Sequence, residues 1–379
     1  MRCQLLPFTR GIVIALVLVP RPVEAQRSGV LVGLSTGRTL WIAPDATGIR
    51  VLERDGVLVV PRRTGFWKTG FTRAETPPDT LTYPPPDREP DSTQMWWGRA
   101  CNPDICHDWF ALALWAAPID HPTPRADYPS DDFRNDLIWT LRREGGSLSG
   151  EVTFLSPDYI SLTEHYEFNG SASGTHGHIV SLDSLGLEPF ILGLGEEVAG
   201  DPIAIDSALA AGFLRECTRQ YRTSDDVDGP DMDDLGEAEW SRYIARKNGQ
   251  WRLYWLFTVS GGGGRGARFS CELPYRLPVA VVGRDRLTPA WNAIARAVPE
   301  LVDAVSSPSG DLVVALRGRE GGRELLVFAP AGGRLGTAKA TIPIEYGEIV
   351  MAEWATGRSV ARWTAELSRY LQPRGGARE

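Results

Sequence analysis

From Gly29 to Arg73 the chain is punctuated every few residues. Apolar runs at Val30 to Leu34, Thr39 to Ala43, Ile49 to Leu52, Val57 to Val60 and Phe66 to Phe71 are separated by glycine, proline and aspartate. Short apolar runs bounded by turn formers are the signature of strands, so this spacing predicts a β meander. Similar runs broken by D-G or G-G turns recur at Gly56 to Pro61 and Gly310 to Pro330, a pattern of propeller-type hairpins. No fixed period joins them, so a repeat protein is not expected.

The punctuation changes twice. Thr76 to Pro90 holds six prolines, including Pro84-Pro85-Pro86, which cannot donate to a ladder and favour an extended conformation. That stretch predicts a linker or long surface loop. Further on, Ile205, Leu209, Phe213 and Cys217 recur at four-residue spacing within Ile203 to Tyr221, marking one buried helical stripe. Strands are expected at Asp136 to Arg142, Glu151 to Leu155, Tyr159 to Phe168 and His178 to Leu182, with a hairpin of Trp251 to Val259 and Ala267 to Leu273. Beyond a helix at Thr288 to Val298, strands are expected at Asp311 to Leu316, Glu324 to Phe328, Glu348 to Ala352 and Ser359 to Trp363, then a last helix at Thr364 to Leu371. The fold class is α+β: mostly antiparallel β with a few helices packed on a central mixed domain. The segments are 26–75 (β meander), 76–92 (Pro-rich), 93–290 (central α+β domain) and 291–379 (β-rich with a terminal helix).

Residues 1–25 have the order of a secretory signal: Arg2 and Arg10, the apolar run Gly11 to Val19, then a small-residue exit at Val23-Glu24-Ala25. Nine apolar residues fall short of the roughly 20 needed to span a bilayer. Cleavage after Ala25 is expected, leaving a secreted or periplasmic product with no stable membrane anchor. Loss of Arg2, Arg10, Arg21 and Glu24 moves the formal charge from -8 to -10, which excludes a basic nucleic-acid binder.

Four cysteines remain, an even number in a compartment where disulfides persist. Cys101 and Cys106 enclose the turn-rich Asn102-Pro103-Asp104-Ile105, leaving Cys217 to pair with Cys271. Their spacing lacks the close C-x2-C pairs of a four-cysteine metal site.

Chemistry-bearing patterns are weak. If the segment is a strand, His176-Gly177-His178 places two imidazoles on one face, and His165 with Asp183 can approach from neighbouring segments. Gly174 and Gly177 bracket His176 and predict a turn in which this histidine is structural. The aspartates between Asp225 and Asp234 do not fit an EF-hand, since Leu235 takes the bidentate position. They predict a solvated acidic loop. Gly261 to Gly266 matches G-x-G-x-x-G but leads into a strand, where a dinucleotide site needs a helix. Trp251 and Trp255 lie four apart on one face of a strand, and of the chain's thirteen tryptophans they are candidates for stacking on a sugar or gripping a partner, with core packing the alternative. No motif supports catalysis, and no cofactor or metal is expected.

One stretch resembles a known family. Tyr159-Ile160-Ser161-Leu162, Tyr166-Glu167-Phe168-Asn169-Gly170, Gly174-Thr175-His176-Gly177-His178 and Val180-Ser181-Leu182-Asp183-Ser184-Leu185 are similar to the strand, G-G-A-H turn and strand of a family of exported domains of unknown function. That domain forms the outer part of the lysozyme-sensing anti-sigma factor RsiV. Phe269-Ser270-Cys271-Glu272-Leu273-Pro274-Tyr275, with the helix before it, resembles the family's closing segment. The resemblance spans about 151–287. It implies an α+β domain with protein- or wall-binding relatives, and His176 as a turn residue that orders the fold. Thr175 replaces the family's alanine, and sigma-factor regulation is not carried over. The expected function is an exported binding or interaction module for an extracytoplasmic protein or cell-wall glycan. The alternative is an extracytoplasmic hydrolase of cell-wall or protein substrates, with its site near His165, His176 and His178.

Overall fold

The computed structural model describes residues 27–74, 111–123, 147–167, 173–185, 190–191, 203, 205, 207–222, 239–259 and 267–373. Several expectations lie outside them: residues 1–25, the Pro-rich 76–92, Cys101 and Cys106, the strand at 136–142, the acidic loop 225–234 and the glycine run 261–266.

All five predicted strands of the meander form. β1 (Ser28–Leu34), β2 (Thr39–Pro44) and β3 (Ile49–Arg54) make the first sheet, while β4 (Leu58–Arg62) and β5 (Gly65–Ala74) continue into a second with β6 (Ala111–Pro118). β7 (Ser147–Leu155), β8 (Tyr159–Glu167) and β9 (Ser173–Ser181) form the third, and the short β10 (Phe190–Ile191) returns to pair with β6. Helix α1 (Ser207–Arg222) precedes the fourth sheet of β11 (Glu239–Lys247), β12 (Gln250–Val259) and β13 (Ala267–Glu272). After the short helices α2 (Val279–Val282) and α3 (Trp291–Ala297) comes the fifth sheet: β14 (Leu301–Ser306), β15 (Val313–Arg319), β16 (Gly322–Phe328) and β17 (Ala340–Ile344). Finally β18 (Ile349–Thr356) pairs antiparallel with β1, helix α4 (Arg358–Leu367) follows, and β19 (Gln372–Pro373) pairs with β3. Every pairing is antiparallel, so the architecture is mostly antiparallel β with four helices among the described residues. None of these helices is long and apolar enough to cross a membrane.

β1 shows why the sheets assemble as they do. All seven of its residues are buried, because both faces are covered. Val30, Val32 and Leu34 pack against Val314, Leu316, Leu325 and Val327 of the fifth sheet. Leu31, with Trp41, packs on the other side with Leu58 and Leu114 of the second sheet and Val152 and Leu162 of the third. The third sheet's opposite face offers Phe154 and Ile179 to Ile244, Trp251 and Leu253 of the fourth. The fourth meets the fifth through a buried ion pair between Arg246 and Asp303. The five sheets thus close a ring of contacts, and the last long strand completes the first sheet by pairing with β1. Packing departs from that scheme at β11, which docks edge-on against the third sheet. There the Ile244 N–H donates to Ser161 Oγ at 2.9 Å and the Gly177 N–H to Ser241 Oγ at 2.8 Å.

Two sequence expectations need correction. Ser359 to Trp363 is helical, part of α4, because Val360, Trp363 and Leu367 recur at helical spacing and turn together toward Trp41 and Phe66. The glycines around His176 mark no turn, since β9 runs unbroken from Ser173 to Ser181. Six of the described strands were not expected: β6, β10, β11, β14, β17 and β19. Pro343 disguised β17, and a proline is tolerated there because β17 is an edge strand.

Candidate functional site

The histidines divide between two faces of the third sheet. Glu164 is opposite His176 and Leu162 opposite His178, while His165 is opposite Thr175. Alternation therefore places His176, His178 and Glu164 on the face that carries Leu162 and Val180, and His165 on the other. His178 Nε2 lies 3.4 Å from Glu164 Oε2, and Glu164 is only 3% exposed. His165 Nδ1 lies 3.4 Å from Thr175 Oγ1 across the sheet. Ser161 shares His165's face, where its hydroxyl accepts the Ile244 amide. Asp183 lies beyond the strand's end and pairs with Arg62 of β4. The register separates His165 from His176 and His178, which share their face with Glu164. Among the described residues no group of three or more His, Cys, Asp or Glu side chains is placed to hold a metal.

The other candidates are core residues. Trp251 and Trp255 do share one face of β12, but they are buried there, Trp251 edge-on to Phe154 and Trp255 edge-on to Phe213. Cys217, on the buried stripe of α1 with Phe213, is bonded to Cys271 of β13, their Cα atoms 5.4 Å apart. That separation is ordinary for a disulfide.

Gly177 has a packing role. A Cβ built on it would stand 2.6 Å from the Arg242 carbonyl oxygen and 2.8 Å from its carbon, where only backbone could yield. Gly177→Ala is therefore expected to destabilise the fold by about 1–3 kcal/mol or more by prising β11 from the third sheet. Urea unfolding measures it, and a change within about 0.5 kcal/mol, the range of an ordinary surface substitution, would show that the docking yields freely.

An open polar cleft of about 500 Å³ lies elsewhere, at the seam of the first and fifth sheets. Four connections build it: β1 to β2, β3 to β4, β15 to β16, and β17 to β18. They supply Thr36, Arg38, Asp55, Arg319, Glu345 and Tyr346. The floor is apolar, with Leu34 and Ile344 buried in the core shared by the two sheets.

The turns are firmly tied. Ser35 N–H donates to the Glu348 carbonyl at 2.9 Å, and Glu348 N–H to Ser35 Oγ at 3.2 Å. Arg323 pairs with the Glu348 carboxylate and donates to the Gly347 carbonyl at 2.7 Å. Gly347 holds φ at 122°, a conformation that L side chains rarely adopt. Arg38 is neutralised by Glu53, and its Nε lies 3.3 Å from Asp55 Oδ1.

The lip differs. Arg319 and Glu345 are exposed, and among the described residues their side chains form no ion pair or hydrogen bond. Tyr346 is 68% exposed although Ile344 and Ile349 on either side are buried. The lip therefore offers a donor fork, acceptor carboxylates, a hydroxyl and an aromatic face on a fixed frame, in a volume within the usual range for small ligands. No family model and no curated protein matches this chain.

Sequence reasoning missed this site because its residues come from four turns far apart in the chain. The local signal was an aromatic residue inside the turn Glu345-Tyr346-Gly347, where solvent-facing polar residues are usual.

Proposed function

We propose that the chain is an exported binding module, secreted or periplasmic, that engages a cell-wall glycan or an extracytoplasmic protein through the cleft between the first and fifth sheets. The observation that carries this reading is the set of uncommitted side chains, Arg319, Glu345 and Tyr346, held out on turns whose bases are fixed. A binding surface gains affinity when its contacts are preorganised, because less freedom is lost on association.

Three further observations support it. The signal-like order of residues 1–25 favours export, as does the Cys217–Cys271 bond in a chain of this composition. Residues 93–290, in which α1 is bonded to β13 and shares a core with Phe154 and Ile179 of the third sheet, are read as the central mixed domain, and about 151–287 of them as the counterpart of the RsiV-like outer domain. Relatives of that kind bind proteins or wall material.

Export is tested by N-terminal sequencing of the protein recovered outside the cytoplasm, which is expected to begin at Gln26. Binding is tested by cosedimentation with purified cell-envelope material, which holds glycan and protein together. The double variant Arg319→Ala, Glu345→Ala is expected to bind at least about tenfold more weakly, a loss of about 1.4 kcal/mol, with its melting temperature unchanged. Undiminished binding by a folded double variant would move the site elsewhere.

A further inference from the structure

We propose that the ligand of this cleft is a neutral saccharide, with Tyr346 as the platform for a sugar ring and Arg319 and Glu345 as its hydroxyl partners. The proposal rests on the binding reading above and names the ligand class. The lip's charges argue first against an anion. Arg38 is committed to Glu53 and Asp55, and Arg323 to Glu348. Arg319 alone is uncommitted, and it shares the lip with the carboxylates of Asp55 and Glu345. A phosphate or sulfate needs clustered donors without nearby carboxylates. A free divalent cation is equally disfavoured, since no group of three ligating side chains forms among the described residues.

An apolar ligand fits no better. Of the apolar lining residues, Leu34 and Ile344 are 0% and 4% exposed and only Pro343 is exposed, so most of the surface a ligand meets is the polar lip. What remains is a ligand whose groups both donate and accept and which carries one flat apolar face. A pyranose has that character. Its vicinal hydroxyls donate to a carboxylate and accept from a guanidinium fork, and the C–H face of its ring covers an aromatic side chain.

Tyr346 fits the last role. It is one of three large hydrophobic side chains left exposed among the described residues, with Leu214 and Val279, and the only one of the three in this cleft. Its backbone is fixed by Gly347 and by the buried Ile344 and Ile349, so the ring is presented without a folding cost at the moment of binding. Its hydroxyl and those of Thr36 add further partners.

The test is calorimetric titration of the mature chain with chitotriose, cellotriose and maltotriose, and with inorganic phosphate and a neutral tetrapeptide as alternatives. At least one oligosaccharide is expected to bind with Kd on the order of 0.1–1 mM. Tyr346→Ala should weaken it by at least about tenfold while Tyr346→Trp retains it, because stacking needs a ring and not a particular one. Circular dichroism checks that each variant is folded. Oligosaccharide binding insensitive to Tyr346→Ala, or absent at millimolar concentration, overturns the proposal. So does Arg319-dependent binding of phosphate or of the tetrapeptide instead. If envelope binding still depends on Arg319 and Glu345 while the sugars fail, the binding module stands and the saccharide falls.

Discussion

Asp303→Ala is expected to lower the unfolding free energy by about 3–5 kcal/mol, because it strands a buried cation. Arg246 Nε donates to Asp303 Oδ2 at 2.6 Å, and the two side chains are 6% and 5% exposed. The other carboxylate oxygen accepts the Gly249 N–H at 3.1 Å and the Ala304 N–H at 2.8 Å. Arg246 also donates to the Ala304 carbonyl at 2.8 Å and lies over the Trp251 ring, 4.6 Å from its centroid. Asp303 reaches this position from an irregularity in the β14–β15 register between Leu301 and Asp303, a feature that re-aims side chains. The pair joins the β11–β12 turn to the first strand of the fifth sheet, so its loss loosens one link of the ring. The double variant Arg246→Met, Asp303→Leu should be markedly less destabilised than either single change, since it buries no unpaired charge. Urea unfolding of the three variants measures this. A loss below about 1 kcal/mol for Asp303→Ala would mean that water reaches the pair and that the link is weak.

Glu353→Gln is expected to remove a pH dependence of stability. Glu353 lies on β18 opposite Leu31 of β1, on the side of the sheet that faces the core of the first three sheets. Burial pushes its carboxyl up from 4.5 to about 8, and the negative charge of Asp158, in the turn between β7 and β8, adds to the shift. A carboxyl with a raised folded value is favoured as the neutral acid. The stability it confers is complete below about 4.5, declines as the pH rises, and is lost once the pH passes about 8. The swing is on the order of a few kcal/mol. The melting temperature of the natural protein should therefore fall relative to Glu353→Gln between pH 5 and pH 9, the gap opening progressively. Parallel profiles over that range would show that the carboxyl is solvated and ionised throughout.

What was legible in the sequence was what neighbours along the chain decide. The β1 to β5 meander, the β12–β13 hairpin and the stripe that carries Phe213 and Cys217 follow from local spacing and turn formers. The shared face of His176 and His178 follows from alternation only once β9 is known to run through Gly177. The opposite face of His165 does not, because it depends on the register that sets His165 against Thr175. Gly177 looked like a turn residue because a glycine forced by close approach and a glycine forced by φ are the same letter. Closure of the first sheet by β18 pairs Ser28 with Thr356, a contact that no local pattern announces. The cleft was illegible for the same reason: Thr36, Asp55, Arg319 and Tyr346 meet only once that closure brings the two ends of the chain together.

Hydrogen exchange of the mature chain, with and without solubilised cell-envelope glycan, tests the central claim most directly. The account predicts ligand-dependent protection at residues 35–38, 55–57, 319–322 and 344–348, the turns that form the cleft, with the third sheet unchanged. Protection confined to β8 and β9 around Glu164, His176 and His178, with the cleft turns unaffected, would contradict it and move the functional site to the histidine face.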